Sequence, residues 1–287
     1  MINYVPFPSR KRTIKSKYRG IVHSLKRILF WRKEITFSPA NIPLTYKVLA
    51  NTLFSKHLLK WGAYEVENSN WVLKNFSGSK GGFFVDVGAN FGWYSLIFSI
   101  CADSTGHVVA VEPEPGNLRM LQKNISINNA ENISVISAGV GACDGFAELS
   151  LNTRWNPGMH SLRQIINSTE KIRIQIRTLD SILSNFPGEI DLLKIDIEGF
   201  EVDALMGASE TLARTKHVLI EYSPKYIQAC GRDPMELLVI FERYNFSRYV
   251  IKNEKMELCD IDYLIKLENK IISKQTPQVD LFFIKNN

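Results

Sequence analysis

Acidic residues close four apolar runs of this chain: Asp86 after residues 83–85, Glu112 after 107–111, Asp196 after 190–195 and Glu221 after 218–220. A carboxylate at the exit of a buried strand is costly unless it is paired or does chemistry. Such acids hold cations, accept protons from hydroxyls or bind an ion. The most informative exit is Asp86-Val-Gly88-Ala-Asn90-Phe-Gly92, which leads straight into the apolar stretch 93–98. That order reads as strand, glycine turn, helix. Gly88 and Gly92, with Asn90 between them, would let backbone N–H groups approach a ligand closely, and Asp86 makes that ligand partly cationic rather than a pyrophosphate. A dinucleotide fingerprint needs glycines at 88, 90 and 93, where this chain has Gly88, Asn90 and Trp93. A nicotinamide oxidoreductase is therefore the lesser reading.

The second acid, Glu112, ends the second strand of a βαβ unit, where a carboxylate can accept both hydroxyls of a ribose. Glu114 and Pro115 instead suit the first turn of the following helix. S-adenosylmethionine (SAM), which carries an ammonium, a sulfonium and a ribose, fits the two acids together. The wording VDVGANFGWYSL resembles motif I of class I SAM-dependent methyltransferases and is similar to the FkbM family of O-methyltransferases. Glu112-Pro-Glu-Pro115 matches the family's EP-x-P, and the segment from Leu193 to Glu201 matches its L-K-I-D-V/I-E-G-x-E, with Thr178-Leu-Asp180 upstream. Phe200 departs from the pattern, since the family often carries histidine there. The resemblance covers roughly residues 62–222.

Further site residues follow from the resemblance. Gly62-Ala-Tyr64-Glu65 resembles the family's Y/W-E element, which makes Glu65 a candidate for the SAM ammonium or else a helix-surface glutamate. Ala138 and Gly139, just past the third strand, either border the adenine or serve close strand packing. Methyl transfer from a sulfonium is an in-line displacement, so positioning carries most of the catalysis and a base adds to it when the acceptor is a hydroxyl. The candidate bases are Asp196, Glu198, Glu221 and His160. Mutual repulsion between Asp196 and Glu221 on neighbouring strand ends would raise one of their pKa values. Mg²⁺ held by the carboxylates is the alternative, and metal-free base chemistry is favoured because nothing in the spacing demands an ion. No N/D-P-P-Y/F text follows the fourth strand, which favours an oxygen acceptor over an exocyclic amine. The expected function is O-methylation of a glycan, glycolipid or secondary metabolite, with a non-catalytic SAM-binding scaffold as the other alternative.

These residues need a scaffold, and the pattern supplies one. Strand-like runs near 83–87, 107–112, 133–137, 190–196 and 217–222 alternate with helix-like stretches near 92–102, 114–129, 201–213 and 233–244. With two last strands at 246–252 and 279–285, the expectation is a Rossmann-like α/β fold. The resemblance implies seven mostly parallel strands, the last one antiparallel and inserted beside its predecessor. Residues 146–151 and 172–177 alternate as a two-stranded ribbon around a polar loop, with Ile172, Ile174 and Ile176 on one face. The catalytic domain is expected over residues 61–287 and a basic extension over 1–60.

That extension is where the charge lies. The first 33 residues hold ten Lys/Arg and no acid, so a +6 protein is a +10 tail on a −4 body. Ile21, Leu25, Ile28 and Leu29 fall on one helical face with Phe30 and Trp31 at its end, a pattern suited to an anionic membrane surface. A solvated or packed tail is the plainer alternative, and nucleic acid is disfavoured. Four cysteines without C-x-x-C spacing and no apolar window free of polar residues suggest a reduced, cytoplasmic protein, its tail at the inner membrane face. Oligomeric state is not legible.

Overall fold

The computed structural model describes residues 6–7, 34–78, 80–151, 170–252, 255–260, 262–265 and 278–286. The chain enters through a hairpin, β1 (Glu34–Phe37) and β2 (Tyr46–Leu49), followed by helices α1 (Leu53–Trp61) and α2 (Val66–Phe76). The first βαβ units are β3 (Phe83–Val87), α3 (Trp93–Ala102), β4 (His107–Val111), α4 (Pro115–Ile127) and β5 (Ile133–Ile136). A small sheet of β6 (Gly139–Val140), β7 (Gly145–Leu151) and β8 (Glu170–Arg177) intervenes before α5 (Leu179–Leu183). Then come β9 (Leu192–Ile195), α6 (Glu201–Met206), α7 (Ser209–Ala213), β10 (His217–Tyr222), α8 (Pro224–Ala229) and α9 (Pro234–Arg243). The closing strands are β11 (Phe246–Lys252), β12 (Lys255–Leu258) and β13 (Val279–Lys285).

The main sheet has the order β12-β11-β13-β10-β9-β3-β4-β5. Strands β10, β9, β3, β4 and β5 run parallel, and β13 is antiparallel between β10 and β11. This is the expected α/β layering, with one strand more than the seven expected. The eighth, β12, pairs antiparallel with β11 at the edge and hides from a hydrophobicity reading because Lys255, Glu257 and Leu258 are all exposed. The central strands are apolar on both faces because helices cover both, and every residue of β3 and β9 is buried. One core cluster contains Val85, Val109, Leu193, Ile220 and Phe241, and the other contains Phe84, Leu96, Phe98, Val108 and Leu192.

Residues 34–60 differ from expectation. Tyr46, Val48, Phe54 and Leu58 belong to the same buried cluster as Phe84 and Leu96, so this part of the expected extension is built into the domain. Phe7 joins them at 2% exposure. Its N–H donates to Asn70 Oδ1 at 2.8 Å, and Asn70 Nδ2 returns a bond to the Phe7 carbonyl at 3.1 Å. The stretch expected as one helix over 201–213 is two, parted at Gly207, where a Cβ would lie 2.4 Å from the Gly141 carbonyl oxygen. The ribbon pairs as expected, with Ile174 and Ile176 buried against Leu149 and Leu151, and β6 adds a third strand parallel to β8. Residues 8–33 and the loop 152–169, with His160, lie outside the described residues.

Candidate functional site

A cavity of about 520 Å³ opens at the carboxyl ends of the parallel strands, within the usual range of small-molecule sites, about 300–1,000 Å³. Asp86, Gly88, Asn90, Glu112, Ala138, Gly139, Asp196, Glu198 and Glu221 all line it. Strand register explains the gathering. Asp86 on β3 sits beside Lys194 on β9, Ile195 beside Ile220, and Glu221 on β10 beside Asp280 on β13. Consecutive strand exits therefore deliver Asp86, Asp196 and Glu221 to one crevice.

The glycine turn does its work differently from expectation. The N–H groups of Gly88 and Ala89 both donate to the Val111 carbonyl at 3.0 Å, and that of Gly92 donates to Ala89 at 2.8 Å. The N–H of Asn90 goes to Glu112 Oε2 at 2.8 Å. The first two and the last of these tie the turn to β4 and the residue after it, and Gly92 closes the turn on itself. Gly88 has a φ of +78°, and a Cβ on it would lie 1.9 Å from the Asp196 carbonyl oxygen, so its smallness lets the β3 and β9 exits meet. Gly92 is absent from the cavity wall. It begins α3 at φ +91°, and a Cβ there would strike Leu121 Cδ1 at 2.6 Å, which makes it a helix-packing residue.

Glu112 is 5% exposed and accepts N–H bonds from Asn90 and, at 2.8 Å, from Glu114. Burial pushes its carboxyl up to about 7 against the pull of those bonds. Glu114 caps α4 through Asn117 N, as its position suggested. Ala138 and Gly139 border the cavity, and a Cβ on Gly139 would also meet Ile176 Cδ1 at 2.7 Å, so small size serves packing as well as access.

Asp196 is ion-paired with Lys194 at 3.1 Å, the lysine side chain 6% and the aspartate 24% exposed. Burial works against the Lys194 charge, but Asp196, Asp86 and Glu65 together hold its pKa above the ordinary value. Asp86 accepts from Ser95 Oγ at 2.6 Å through Oδ2, while its buried Oδ1 has no hydrogen-bond partner. Burial raises the Asp86 pKa, opposed by Lys194. Glu221 is raised well above the ordinary carboxylate range by burial and then by the facing charge of Asp196. Repulsion between the two strand ends is thus the lesser cause, after burial.

Three acids of the neighbourhood stand in other roles. Glu65 does not line the cavity; its Oε2 accepts from Tyr94 Oη at 2.7 Å and Asn68 Nδ2 at 3.4 Å. Asn68 also donates to Asp280 Oδ2 at 2.6 Å, and burial followed by Glu65 pushes Asp280 up to about 8. Glu201, fully buried, uses Oε1 to accept the N–H groups of Ile197 and Gly199, each at 3.1 Å. It shapes the loop that presents Asp196 and Glu198. Lys194 and Asp280 were not anticipated, although a lysine inside Leu-Leu-Lys-Ile signals a buried partner.

The residues suit SAM. Among the described lining residues, Lys194 is the one lysine or arginine against five carboxylates, Asp86, Glu112, Asp196, Glu198 and Glu221. These acids offer acceptors to an ammonium and a sulfonium, and the orphaned Asp86 oxygen is a ready one. Among the described residues, no group of three or more His, Cys, Asp or Glu converges as a metal site.

Comparison with known proteins agrees. The family model described as "Methyltransferase FkbM domain" matches residues 86–248. Methyltransferase 1 of Beauveria bassiana is 24% identical over 148 residues, 45% of this chain and 59% of that protein. Methyltransferase sdnD of Sordaria araneosa is 25% identical over 158 residues, 45% of this chain and 61% of that protein. The chain thus spans about three fifths of the length of these relatives. The solved structure of Methyltransferase FkbM from Methylobacillus flagellatus KT aligns at 15% identity and a TM-score of 0.45, covering 79% of this chain and 52% of that one. A match over more than half the chain, from the Asp86 exit through the last helix into β11, replaces the nicotinamide alternative: the chain belongs to the FkbM methyltransferase family.

Proposed function

We propose that this chain is a SAM-dependent O-methyltransferase whose acceptor is a hydroxyl of a glycan, glycolipid or secondary metabolite. The observation that carries the reading is the Asp196–Glu221 pair at adjacent strand exits in one cavity. When bound, SAM supplies a methyl group on a sulfonium, open to displacement by an oxygen. Glu112 would hold the ribose hydroxyls, Asp86 would accept from the ammonium, and Ala138 and Gly139 would border the adenine. Glu221, in its ionised form, would accept the proton that the acceptor hydroxyl gives up, and burial beside Asp196 means that this form is reached only at higher pH than for an ordinary carboxylate. Asp196, held by Lys194, would orient that hydroxyl. Holding the acceptor oxygen in line with the methyl group would itself contribute roughly 7–11 kcal/mol.

A screen of hydroxy compounds with methyl-labelled SAM tests this. Asp196→Asn and Glu221→Gln should each lower turnover by about 10²–10⁴-fold with little change in SAM affinity. Label recovered on nitrogen, or full activity in both variants, would contradict an oxygen acceptor with a carboxylate base. Activity that survives EDTA and dialysis supports metal-free chemistry, and activity restored only by Mg²⁺ favours the ion.

The ten-charge N-terminal segment supports a second part of the proposal, attraction of the protein to an anionic membrane surface. No helix among the described residues is long and apolar enough to cross a membrane.

A further inference from the structure

Part of the cavity wall comes from residues that precede the matched family segment, namely Leu53, Phe54 and His57 of α1 and Tyr64 just after it. Thr52 starts this helix by accepting the N–H of Ser55 at 3.0 Å, and Gly62 ends it in the left-handed conformation at φ +85°. The helix is rigidly seated: Leu58 is fully buried, and Phe54 meets Phe91 of the glycine turn edge-on with ring centroids 3.8 Å apart. From there an aromatic series continues, Phe54 to Tyr64 at 4.6 Å and Tyr64 to His57 at 6.0 Å, the last pair stacked at 29°. Tyr64, Asp196 and Glu221 line the same cavity, so this wall and the carboxylate pair face one space. Leu53, 46% exposed, marks where the wall meets solvent.

We infer that α1 and Tyr64 form the acceptor-binding wall, and that the acceptor is an uncharged ring compound seated on the His57–Tyr64 pair with a hydroxyl toward Asp196 and Glu221. Aromatic faces bind the apolar faces of rings, and an anionic acceptor would find no unpaired lysine or arginine among the described lining residues, since Lys194 is already paired with Asp196. The inference rests on the hydroxyl-acceptor reading and adds the subsite and the charge class.

Saturation-transfer NMR on the full chain saturated with S-adenosylhomocysteine (SAH) tests it with two probes, phenyl β-D-glucopyranoside and phenyl β-D-glucuronide. The neutral glucoside should bind, and the glucuronide, with its carboxylate, should bind about tenfold or more weakly. His57→Ala should weaken glucoside binding by about fivefold or more while SAH affinity stays within about twofold, and His57→Phe, which keeps a stacking ring, should restore it. Equal binding of the two probes, no binding of either, or glucoside binding unchanged in a folded His57→Ala protein would overturn the inference. The two readings fail separately. Methyl transfer to a hydroxyl with probe binding indifferent to His57 sinks the wall alone, whereas wall-dependent probe binding with label found only on nitrogen sinks the O-methyl reading alone.

Discussion

Glu112 joins the cofactor expectation to a measurable titration. It lies in the cavity wall with its carboxyl pushed up to about 7 by burial, and it already braces the turn through Asn90 and Glu114. Its ionised form is the better acceptor for ribose hydroxyls, so SAH affinity should rise as pH increases through about 7. Glu112→Gln should cost about 1.5–3 kcal/mol of SAH binding at high pH and flatten that dependence. Calorimetric titration across the range measures both, and a pH-independent wild type with an unaffected variant would move Glu112 off the ribose. Glu112 was readable from sequence because strand-end position alone specifies it. Lys194 and Asp280 were not, because each depends on which strands become neighbours, and the loop-shaping role of Glu201 was not, because it depends on how residues 197–199 fold back on it. Glu65 shows the same limit: its Y/W-E wording was legible, but its hydrogen bonds turn it toward Tyr94 and Asn68.

Among the elements, the parallel strands and their helices were legible because burial on both faces leaves uninterrupted apolar runs such as 83–87 and 107–111. The hairpin β1–β2 and helices α1 and α2 went unread, since α1 mixes Ser55, Lys56, His57 and Lys60 with its apolar residues and α2 buries Asn68, Ser69 and Asn70. Edge strand β12 has no buried face to announce it. The glycine turn was recognised as an element while its partner was not: Gly88 meets the Asp196 backbone. Gly88→Ala should therefore destabilise the protein, the left-handed backbone alone costing about 1–3 kcal/mol and the collision with Asp196 adding to it. Gly145→Ala is the control, since nothing lies within 4 Å of a Cβ there. Equal melting temperatures for the two variants would contradict the close approach of the β3 and β9 exits.

For the molecule as a whole, a basic N-terminal segment is attached to a body with a cavity lined by five acids at its strand exits. Removing the segment outright would also remove Phe7, which packs against Trp93 at 6.0 Å and is clamped by Asn70. Charge replacement is the cleaner test. Lys26, Arg27, Arg32 and Lys33 all changed to glutamine should reduce co-sedimentation with phosphatidylglycerol vesicles, each charge contributing about 1 kcal/mol near the surface, with SAH binding unchanged. Binding by the unmodified protein should weaken as salt rises, because surface attraction is screened within about 10 Å at 0.1 M. A wild-type protein that stays in the supernatant at low salt would end the membrane proposal. The central claim, that the acid-lined cavity at the strand exits is a SAM site, is tested most directly by isothermal titration of the full chain. Saturable SAM binding that SAH displaces, with no heat from NAD⁺, is the predicted result, and NAD⁺ binding in the absence of any SAM binding would contradict it.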